Sequence, residues 1–263
     1  MPSGRLHTLE RLRVTIDRLE RDKVTDGILR MSLGHTQADS FLQGGLACGV
    51  LHEVFAPETR QGAAATGFAV GLARRVSPRR PLLWVRQDFG AREAGAPSVS
   101  GLVELGLDPR SVVEVRTATV ESALRVTADA LACDALGAVM LEIWGETRQL
   151  DLVASRKLSL AARMSGVTGF ILRMSATPSP STAETRWIVR AARSPPRVVD
   201  WGAPLFDAQL IRNRHGPTGQ WIMEWKCDEC LFLEPASHSQ PLVAASADRS
   251  YPSRPFAKQR RAG

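Results

Sequence analysis

Short apolar runs alternate with longer amphipathic stretches through the middle of the chain. The apolar runs predict strands at 50–55, 82–86, 112–116, 137–143 and 168–173. The stretches between them predict helices at about 62–75, 98–106, 119–133 and 151–165. These strands are apolar on both faces, which is typical of a parallel sheet that is covered by helices on each side and connected by right-handed crossovers. We therefore expect an α/β core.

The last third of the chain has a different pattern. After the turn-rich TPSPST at 177–182 come β-type segments with no helix between them, at 185–192, 205–212, 220–226 and 230–234. We expect these segments to add antiparallel strands to the sheet, with GPTG at 216–219 as a hairpin turn. The predicted fold class is α/β, with a mostly parallel central sheet flanked by helices, antiparallel C-terminal strands and a separate N-terminal helix.

Residues 5–22 predict that N-terminal helix. Apolar side chains recur every three or four residues, with Arg and Glu between them, at Leu6, Leu9, Leu12, Ile16 and Leu19. Such a face packs against the core of its own chain or against a partner, and the pattern leaves both open. The glycine-rich stretch 23–47 has little periodicity and predicts a linker. We therefore divide the chain into a helical arm and linker at 1–44, a core domain at 45–235 and a tail at 236–263.

Composition limits the class of protein. The 263 residues are 44% hydrophobic and 23% charged, which is ordinary globular usage and excludes a disordered chain, a collagen and a coiled-coil rod. No apolar run approaches the roughly 20 residues that cross a bilayer, and residues 1–30 are too charged for a secretory signal. We therefore expect a soluble, cytoplasmic protein with no membrane contact.

More than half of the net charge of +7 lies near the C-terminus. The last 28 residues carry one acid, Asp248, and five bases, which are Arg249, Arg254, Lys258, Arg260 and Arg261. This stretch is rich in Pro, Ser and Ala and has no apolar period, so we expect a disordered basic tail. It is either a solvated tail or an arm that makes nonspecific contact with DNA or an acidic partner.

The turn after the first predicted strand is where an α/β sheet places its ligand. A nucleoside triphosphate loop there reads GxxxxGK[ST]: glycines aim amides at phosphates, Lys neutralises their charge, and Ser or Thr holds magnesium. Here the turn reads APETRQGAA at 56–64, and its residues include Ala56, Pro57, Glu58, Arg60, Gly62, Ala63 and Ala64.

With a one-residue insertion, Gly62 occupies the second glycine position of this loop. Ala63 then stands at the Lys position and Ala64 at the position of the magnesium-binding hydroxyl, and a methyl group can do neither task. Arg60 and Thr66 are the nearby side chains left for these tasks, and the amides of a helix N-terminus still attract anions. We expect a degenerate loop, no ATP hydrolysis and no cofactor.

Four segments resemble the RecA superfamily: LHEVFAPE at 51–58, LLWVRQD at 82–88, GLVELGLDPRSVVEVR at 101–116 and AVMLEIWG at 138–145. LHEVFAPE is similar to the family's first strand with its phosphate loop, and LLWVRQD to the strand that carries its catalytic carboxylate. GLVELGLDPRSVVEVR is similar to the segment that leads to the third strand, and AVMLEIWG to the second acidic motif. The resemblance implies a RecA-like core with altered acids. Glu142 stands where the family has an Asp near magnesium, and Asp88 is the acid nearest the place of its catalytic Glu.

A later segment, LIRNRHGPTG at 210–219, resembles the K-x-R-x-G-P-T-G hairpin of RecA-type helicases and recombinases. Arg212 stands at the Lys position and Arg214 at the Arg position. In the family these cations reach a triphosphate on the neighbouring subunit, so the resemblance implies that Arg212 and Arg214 contact a partner or its phosphate. The alternative is a plain turn, because Gly and Pro already account for the hairpin, with both arginines solvated.

Within the superfamily the chain resembles the ImuA family from about Gly45 to Leu233. LHEVFAPE with its alanine-rich loop, GLVELGLDP and RNRHGPTGQWIMEW carry this resemblance. It implies a non-catalytic role in damage-induced (SOS) translesion DNA synthesis, beside an ImuB-type polymerase-like protein and an error-prone replicative-type polymerase subunit. Two alternatives stay open: a regulator that binds RecA filaments or the division machinery, and an ATPase with a non-standard loop.

Cys227 and Cys230 have the spacing of a metal-binding knuckle. Tetrahedral zinc needs four ligands, and the chain has no second CxxC pair. Cys48 and Cys133 are isolated in sequence. We expect a tight turn between two strands here, no metal site, and free thiols rather than a disulfide framework.

Overall fold

A computed structural model describes residues 27–193 and 202–235 of the chain. The predicted N-terminal helix at 5–22 and the predicted tail at 236–263 lie outside these residues. In the described part the strands are β1 (Arg30–Met31), β2 (Leu46–Ala47), β3 (Leu51–Ala56), β4 (Leu82–Gln87), β5 (Val112–Thr117), β6 (Ala138–Trp144), β7 (Thr168–Met174), β8 (Thr185–Ala191), β9 (Leu205–Asn213), β10 (Gly219–Lys226) and β11 (Leu231–Leu233). The helices are α1 (Thr36–Phe41), α2 (Gly62–Val76), α3 (Asp88–Ala94), α4 (Val99–Glu104), α5 (Val120–Leu131) and α6 (Leu152–Ser165). None of the described helices is long and apolar enough to span a membrane.

Nine strands form one sheet in the order β11-β10-β9-β8-β3-β7-β6-β4-β5. The strands from β8 to β5 are parallel, and β9, β10 and β11 are added in antiparallel pairs. The buried side chains of α2 pack on one face of the sheet, and those of α5 and α6 pack on the other. The predicted α/β class, with a mostly parallel sheet, flanking helices and antiparallel C-terminal strands, is confirmed.

The predicted antiparallel direction is wrong for the first of the C-terminal strands. β8 runs parallel to β3, with Thr185 opposite His52. The segment 175–184 returns the chain to the amino end of the sheet without forming a helix, and the amide of Glu184 donates to the carbonyl of Leu51 at 2.7 Å. Parallel strands are usually joined through a helix. Because this crossover has no helical period, the sequence pattern favoured the wrong direction.

The edge strand β5 is less buried than its apolar run predicts. The central strands β3, β6 and β7 are buried along almost their whole length, as expected for strands that are apolar on both faces. Among the described strands β5 lies at the end of the sheet and pairs with β4 alone, and Val113 is 46% exposed. Glu114 and Arg116 lie on this strand, and charged side chains suit a strand with an unpaired edge.

Aromatic side chains dominate the core on the α2 face. The ring centroid of Phe68 lies 5.4 Å from that of Trp187, 5.7 Å from Phe206 and 5.0 Å from Phe232. α2 approaches this layer closely at Gly71, where an added Cβ would come within 2.7 Å of the Phe232 ring. Such close packing holds α2 in place, and with it the loop that precedes the helix.

The described part of the predicted linker at 23–47 is folded. β1 pairs with β2, α1 lies between them in the chain, and Leu33, Leu42 and Leu46 are buried in the core on the α2 face. The amide of Phe232 donates to the carbonyl of Leu33 at 2.9 Å. The linker prediction is wrong for this part, and the predicted domain boundary after residue 44 falls inside packed structure. These buried side chains lie in turns and very short elements, where burial has no regular period.

Candidate functional site

The segment 56–64, which is predicted to be a degenerate phosphate loop, connects β3 to α2. Ala56 ends β3, Pro57 and Glu58 follow, and a 3₁₀ turn at Thr59–Gln61 leads into α2 at Gly62. Gly62 is helical with a φ of −55°, and no residue of the loop has a positive φ. Left-handed residues are what let successive backbone amides converge on an anion. This loop therefore lacks the concave backbone of a phosphate cradle as well as the Lys side chain.

Arg60 does not supply the missing cation to the loop. Its Nε pairs with Oε2 of Glu58, and the two side chains are 75% and 55% exposed. This hydrogen-bonded pairing lowers the pKa of Glu58 and raises the pKa of Arg60. Ala63 is exposed and Ala64 half-buried in the first turn of α2. The charge of Arg60 is thus compensated by its own neighbour and by solvent.

A cavity of about 500 Å³ lies behind the loop, between α2, α4 and the ends of β4 and β6. Three of the predicted loop residues line it, namely Arg60, Gly62 and Ala63. Side chains of the sheet and of the two helices complete the lining, among them Thr66, Val70, Trp84, Arg86, Leu102, Leu105, Glu142, Trp144 and Met174. A pocket at the carboxyl ends of parallel strands is where this class of fold binds its ligand. We take this cavity as the candidate functional site.

Arg86 and Glu142 form a buried ion pair in the wall of the cavity. Arg86 Nε lies 3.0 Å from Glu142 Oε2 and Nη2 lies 3.2 Å from Oε1, so the contact is bidentate. Nη1 donates to Glu114 at 3.2 Å and Nη2 donates to the carbonyl of Gly95 at 3.0 Å. Burial works to lower the pKa of Arg86, but the hydrogen bonds and charges of Glu142 and Glu114 outweigh it, and the pKa is raised. The carboxylate of Glu142, which is one of the two predicted acidic positions, is therefore paired with Arg86.

The other predicted acid is not part of the cavity wall. Asp88 is the first residue of α3 and is absent from the residues that line the cavity. Trp144 lines the cavity on this side, and its Nε1 donates to Glu142 Oε1 at 2.9 Å. The indole of Trp144 also packs against α3 at Gly90, where an added Cβ would come within 2.4 Å of the ring. Of the two predicted acidic positions, only Glu142 lies in the cavity wall.

The two arginines of the predicted hairpin lie at the far end of the sheet from the loop. β9 runs back along β8, so that Arg212 is opposite Arg186 near the amino end of the parallel strands. Arg212 Nη1 donates to the carbonyl of Ser181 at 2.8 Å, and burial, with the neighbouring Arg186, lowers the pKa of Arg212. Arg214 is exposed. The alternative in which both arginines are solvated therefore does not hold for Arg212, which is half-buried and hydrogen-bonded to the crossover 175–184. Contact of Arg212 and Arg214 with a partner or its phosphate stays a prediction.

The hairpin turn itself is anchored to the N-terminal part of the described chain. Asn213 Nδ2 donates to the carbonyl of Phe41 at 2.8 Å and to that of Pro217 at 3.0 Å. A Cβ on Gly216 would come within 2.3 Å of the Phe41 carbonyl, so glycine is required by close approach. The turn is thus rigid, and Arg214 projects from a fixed strand end.

The Cys227–Cys230 segment is the tight turn between β10 and β11. The predicted turn is confirmed, because Lys226 pairs with Leu231 across it. Cys230 Sγ donates to the carbonyl of Cys227 at 3.3 Å, and all four cysteines of the chain are free thiols. Burial raises the pKa of the Cys227 thiol. Within 27–193 and 202–235, no three His, Cys, Asp or Glu side chains come together as a metal-binding group.

Arg86, Trp84 and Trp144 line the cavity but were not predicted as site residues from the sequence. The signal was present, since Arg86 is the single charge in the apolar run LLWVRQ and Glu142 the single charge in AVMLEIW. Opposite charges in two buried strands must pair with each other or with a ligand. The strand order, which places β4 beside β6 with Arg86 opposite Glu142, was needed to see that they pair.

The chain has named relatives in one bacterium. No family model matches it. Two proteins, each called Protein ImuA, from Caulobacter vibrioides strain NA1000 / CB15N and from strain ATCC 19089 / CIP 103742 / CB 15, are 32% identical to it over 213 residues. The match covers 74% of this chain and 82% of each relative. The chain belongs to the ImuA family. The predicted ImuA membership is thereby confirmed, whereas the wider RecA resemblance stays a prediction.

Proposed function

We propose that this ImuA family protein is a non-catalytic accessory protein of damage-induced (SOS) translesion DNA synthesis. It acts as an adaptor for an ImuB-type polymerase-like protein and an error-prone replicative-type polymerase subunit. Family membership supports the pathway. The non-catalytic part rests on one observation, which is that Ala63 stands at the start of α2 where a triphosphate site needs a cation.

The neighbouring charges support this part of the proposal. Arg86 is bound to Glu142, Glu114 and Gly95, and Arg60 is paired with Glu58 in solvent. The Arg86 guanidinium is therefore not free to stabilise a transferring phosphate, and the Arg60 guanidinium would first have to leave Glu58. Removal of one preorganised charge of this kind commonly lowers the rate on the order of a thousandfold. The proposed function is therefore to bind other proteins and not to turn over nucleotide.

A second candidate function is supported by the exposed Arg214. A fixed strand end that presents a cation, on a chain whose own loop is degenerate, suits a subunit that completes a nucleotide site on a RecA-like neighbour and caps its filament. This would make the protein a regulator of RecA. The binding of RecA and the binding of an ImuB-type protein are separable by experiment.

The test of the non-catalytic proposal measures ATP binding and turnover of the full chain with magnesium and DNA present. We expect no turnover above a blank. Turnover that is abolished by Arg60→Ala or Asp88→Asn would contradict the proposal, because these are the side chains left for an unusual loop. Pull-down from damage-treated cells, with the ImuB-type protein and RecA both probed, then tests the adaptor role against the regulator role.

A further inference from the structure

We propose that the solvent side of α6 is a docking surface for an acidic amphipathic helix of a partner protein. The centre of this surface is a row of three exposed apolar side chains, Val153, Leu160 and Met164, which we call the α6 stripe. The inference rests on the proposed adaptor function, because an adaptor needs a surface for its partner. It goes beyond that function by naming the surface and the chemistry that the surface recognises.

Exposed apolar side chains are concentrated on α6. Of the ten large apolar side chains that are exposed within 27–193 and 202–235, four lie on this one helix. Val153 is 76%, Leu160 52% and Met164 88% exposed. Their spacings of seven and four residues place them on one side of the helix, in a row about 16 Å long. Leu158 and Ala162 are buried on the opposite side, so α6 has two apolar sides, and the described residues cover one of them. A contiguous exposed row of this kind indicates an interaction surface.

Basic side chains flank the α6 stripe on both sides. With 3.6 residues per turn, Lys157 lies on one side of the stripe, and Arg156 and Arg163 lie on the other. α6 itself contains no acidic residue. Arg156 and Lys157 are exposed, and within the described chain their side chains make no ion pair or hydrogen bond. Their charges are therefore available to a partner.

The basic flank continues beyond the helix to the exposed Arg214. Glu184 connects the two: its Oε2 lies 4.0 Å from Arg163 Nη2, and its carbonyl accepts a hydrogen bond from the amide of Arg214 at 3.0 Å. The Glu184 carboxylate is buried and lies 3.2 Å from Nε2 of His215. Asp151 uses its carboxylate to cap the start of α6. These two acids are engaged within the chain, and the flank presents positive charge to the solvent.

Charge complementarity selects the occupant of this surface. A partner helix with an apolar row between acidic side chains would bury the α6 stripe and pair with the bases on both flanks, as helices do in a coiled coil. A second copy of this chain would bring the same bases together, which is unfavourable. Residues 1–26 of the chain carry six bases and five acids, so they do not offer acidic flanks. A lipid surface takes up a broad apolar face, whereas this stripe is one side chain wide.

The test uses three capped peptides of about 18 residues, a length at which an isolated helix can form. The Glu peptide has Leu at every third or fourth position and Glu on both sides of the leucines. The Lys peptide has Lys in place of each Glu, and the Ser peptide has Ser in place of each Leu. Binding to the full chain is measured by calorimetry, and the NMR shift of the Met164 methyl group reports whether the peptide lies on the α6 stripe.

Each variant of the chain has a matched control. Leu160→Ser removes the centre of the stripe, and Val103→Ser removes an exposed apolar side chain of α4, which packs on the other face of the sheet. Arg156→Glu combined with Lys157→Glu reverses the charge beside the stripe, and Arg79→Glu reverses an exposed charge in the turn after α2. Thermal melting of each variant shows that the fold is retained before binding is interpreted.

We expect saturable binding of the Glu peptide with a shift of the Met164 methyl signal, and at least tenfold weaker binding of the Lys and Ser peptides. Leu160→Ser should weaken binding of the Glu peptide at least tenfold, whereas the two control variants should leave it unchanged. The charge reversal should exchange the preference, so that the Lys peptide binds more tightly than the Glu peptide. Absence of saturable binding, or binding that is unaffected by Leu160→Ser or by the charge reversal, would overturn the inference.

Two further measurements separate this inference from its alternatives. Sedimentation with vesicles of phosphatidylserine and phosphatidylcholine that is lost in Leu160→Ser, without peptide binding, would overturn the inference in favour of a lipid surface. If no peptide binds but the ImuB-type protein is retained equally by the wild type and by Leu160→Ser, the docking surface is refuted and the adaptor function stands. If the Glu peptide binds as expected but the ImuB-type protein is not retained, the docking surface stands and the adaptor function is refuted.

Discussion

The buried ion pair of the cavity wall offers the sharpest test of what Glu142 does. Arg86 is 3% and Glu142 2% exposed. Arg86→Met keeps most of the volume of the side chain but leaves the Glu142 carboxylate buried, with the Trp144 indole as its remaining hydrogen-bond donor. If Glu142 is structural, as the geometry indicates, the loss of Arg86 must destabilise the fold.

The expected magnitude follows from the burial of both partners. Removal of one partner of a buried pair generally lowers the free energy of unfolding by about 3–5 kcal/mol, because it leaves an uncompensated charge. That is a large part of the roughly 5–15 kcal/mol that stabilises a typical domain. Addition of Glu142→Gln removes the charge and keeps an acceptor for Trp144. The double variant should therefore recover all but about 1–2 kcal/mol of the loss, which is a recovery of about 2–3 kcal/mol relative to Arg86→Met alone.

Urea unfolding followed by tryptophan fluorescence measures these differences, with the m-value checked for two-state behaviour. Arg125→Met is the control, because Arg125 pairs with Glu121 on the surface of α5 and both side chains are more than 70% exposed. Its loss should change the free energy of unfolding by less than about 0.5 kcal/mol. If Arg86→Met lowered it by less than about 1 kcal/mol, or if the double variant were as unstable as the sum of the singles, the pair would not be structural.

Two further predictions concern the other end of the sheet. Burial lowers the pKa of His52 to about 4 in the folded protein, whereas the pKa of an unfolded His is about 6.5. The unfolded chain therefore takes up a proton first as the pH falls. The free energy of unfolding should be constant above a pH of about 6.5 and should fall by up to about 3 kcal/mol as the pH drops towards 4. Urea titrations of wild type and His52→Gln across this window check it, and equal acid slopes would contradict it. Arg214 is exposed, so Arg214→Ala should change the free energy of unfolding by less than about 0.5 kcal/mol. The same variant should weaken binding of RecA or the ImuB-type protein in a salt-dependent way. Arg212→Ala should weaken binding too, and it should also lower the free energy of unfolding by about 1 kcal/mol. Unchanged affinity of the double variant Arg212→Ala with Arg214→Ala for both proteins would exclude the hairpin as a contact.

The sequence by itself determined the central α/β fold and the chemistry of the residues at the start of α2. β6 and β7 are apolar runs that each carry a single charge, so most of their burial follows from local composition. β3 also buries His52 and Glu53, which composition does not explain. The methyl groups of Ala63 and Ala64 supply neither a cation nor a magnesium ligand, whatever the fold around them. These conclusions concern residues whose chemistry is fixed before any contact is made.

Only the tertiary structure decided which distant groups meet. Arg86 and Glu142 are 56 residues apart, and they pair because strand order places β4 beside β6. The folding of the segment before residue 47 depends on its contact with Phe232, and the parallel direction of β8 depends on the contact of Glu184 with Leu51. Neither contact produces a hydrophobic period in the local sequence. Hydrophobic periodicity reports the face that a residue buries, but the partner that it meets there is set by loop closure and sheet topology. For this reason the cavity, unlike the loop in front of it, could not be predicted from the chain alone.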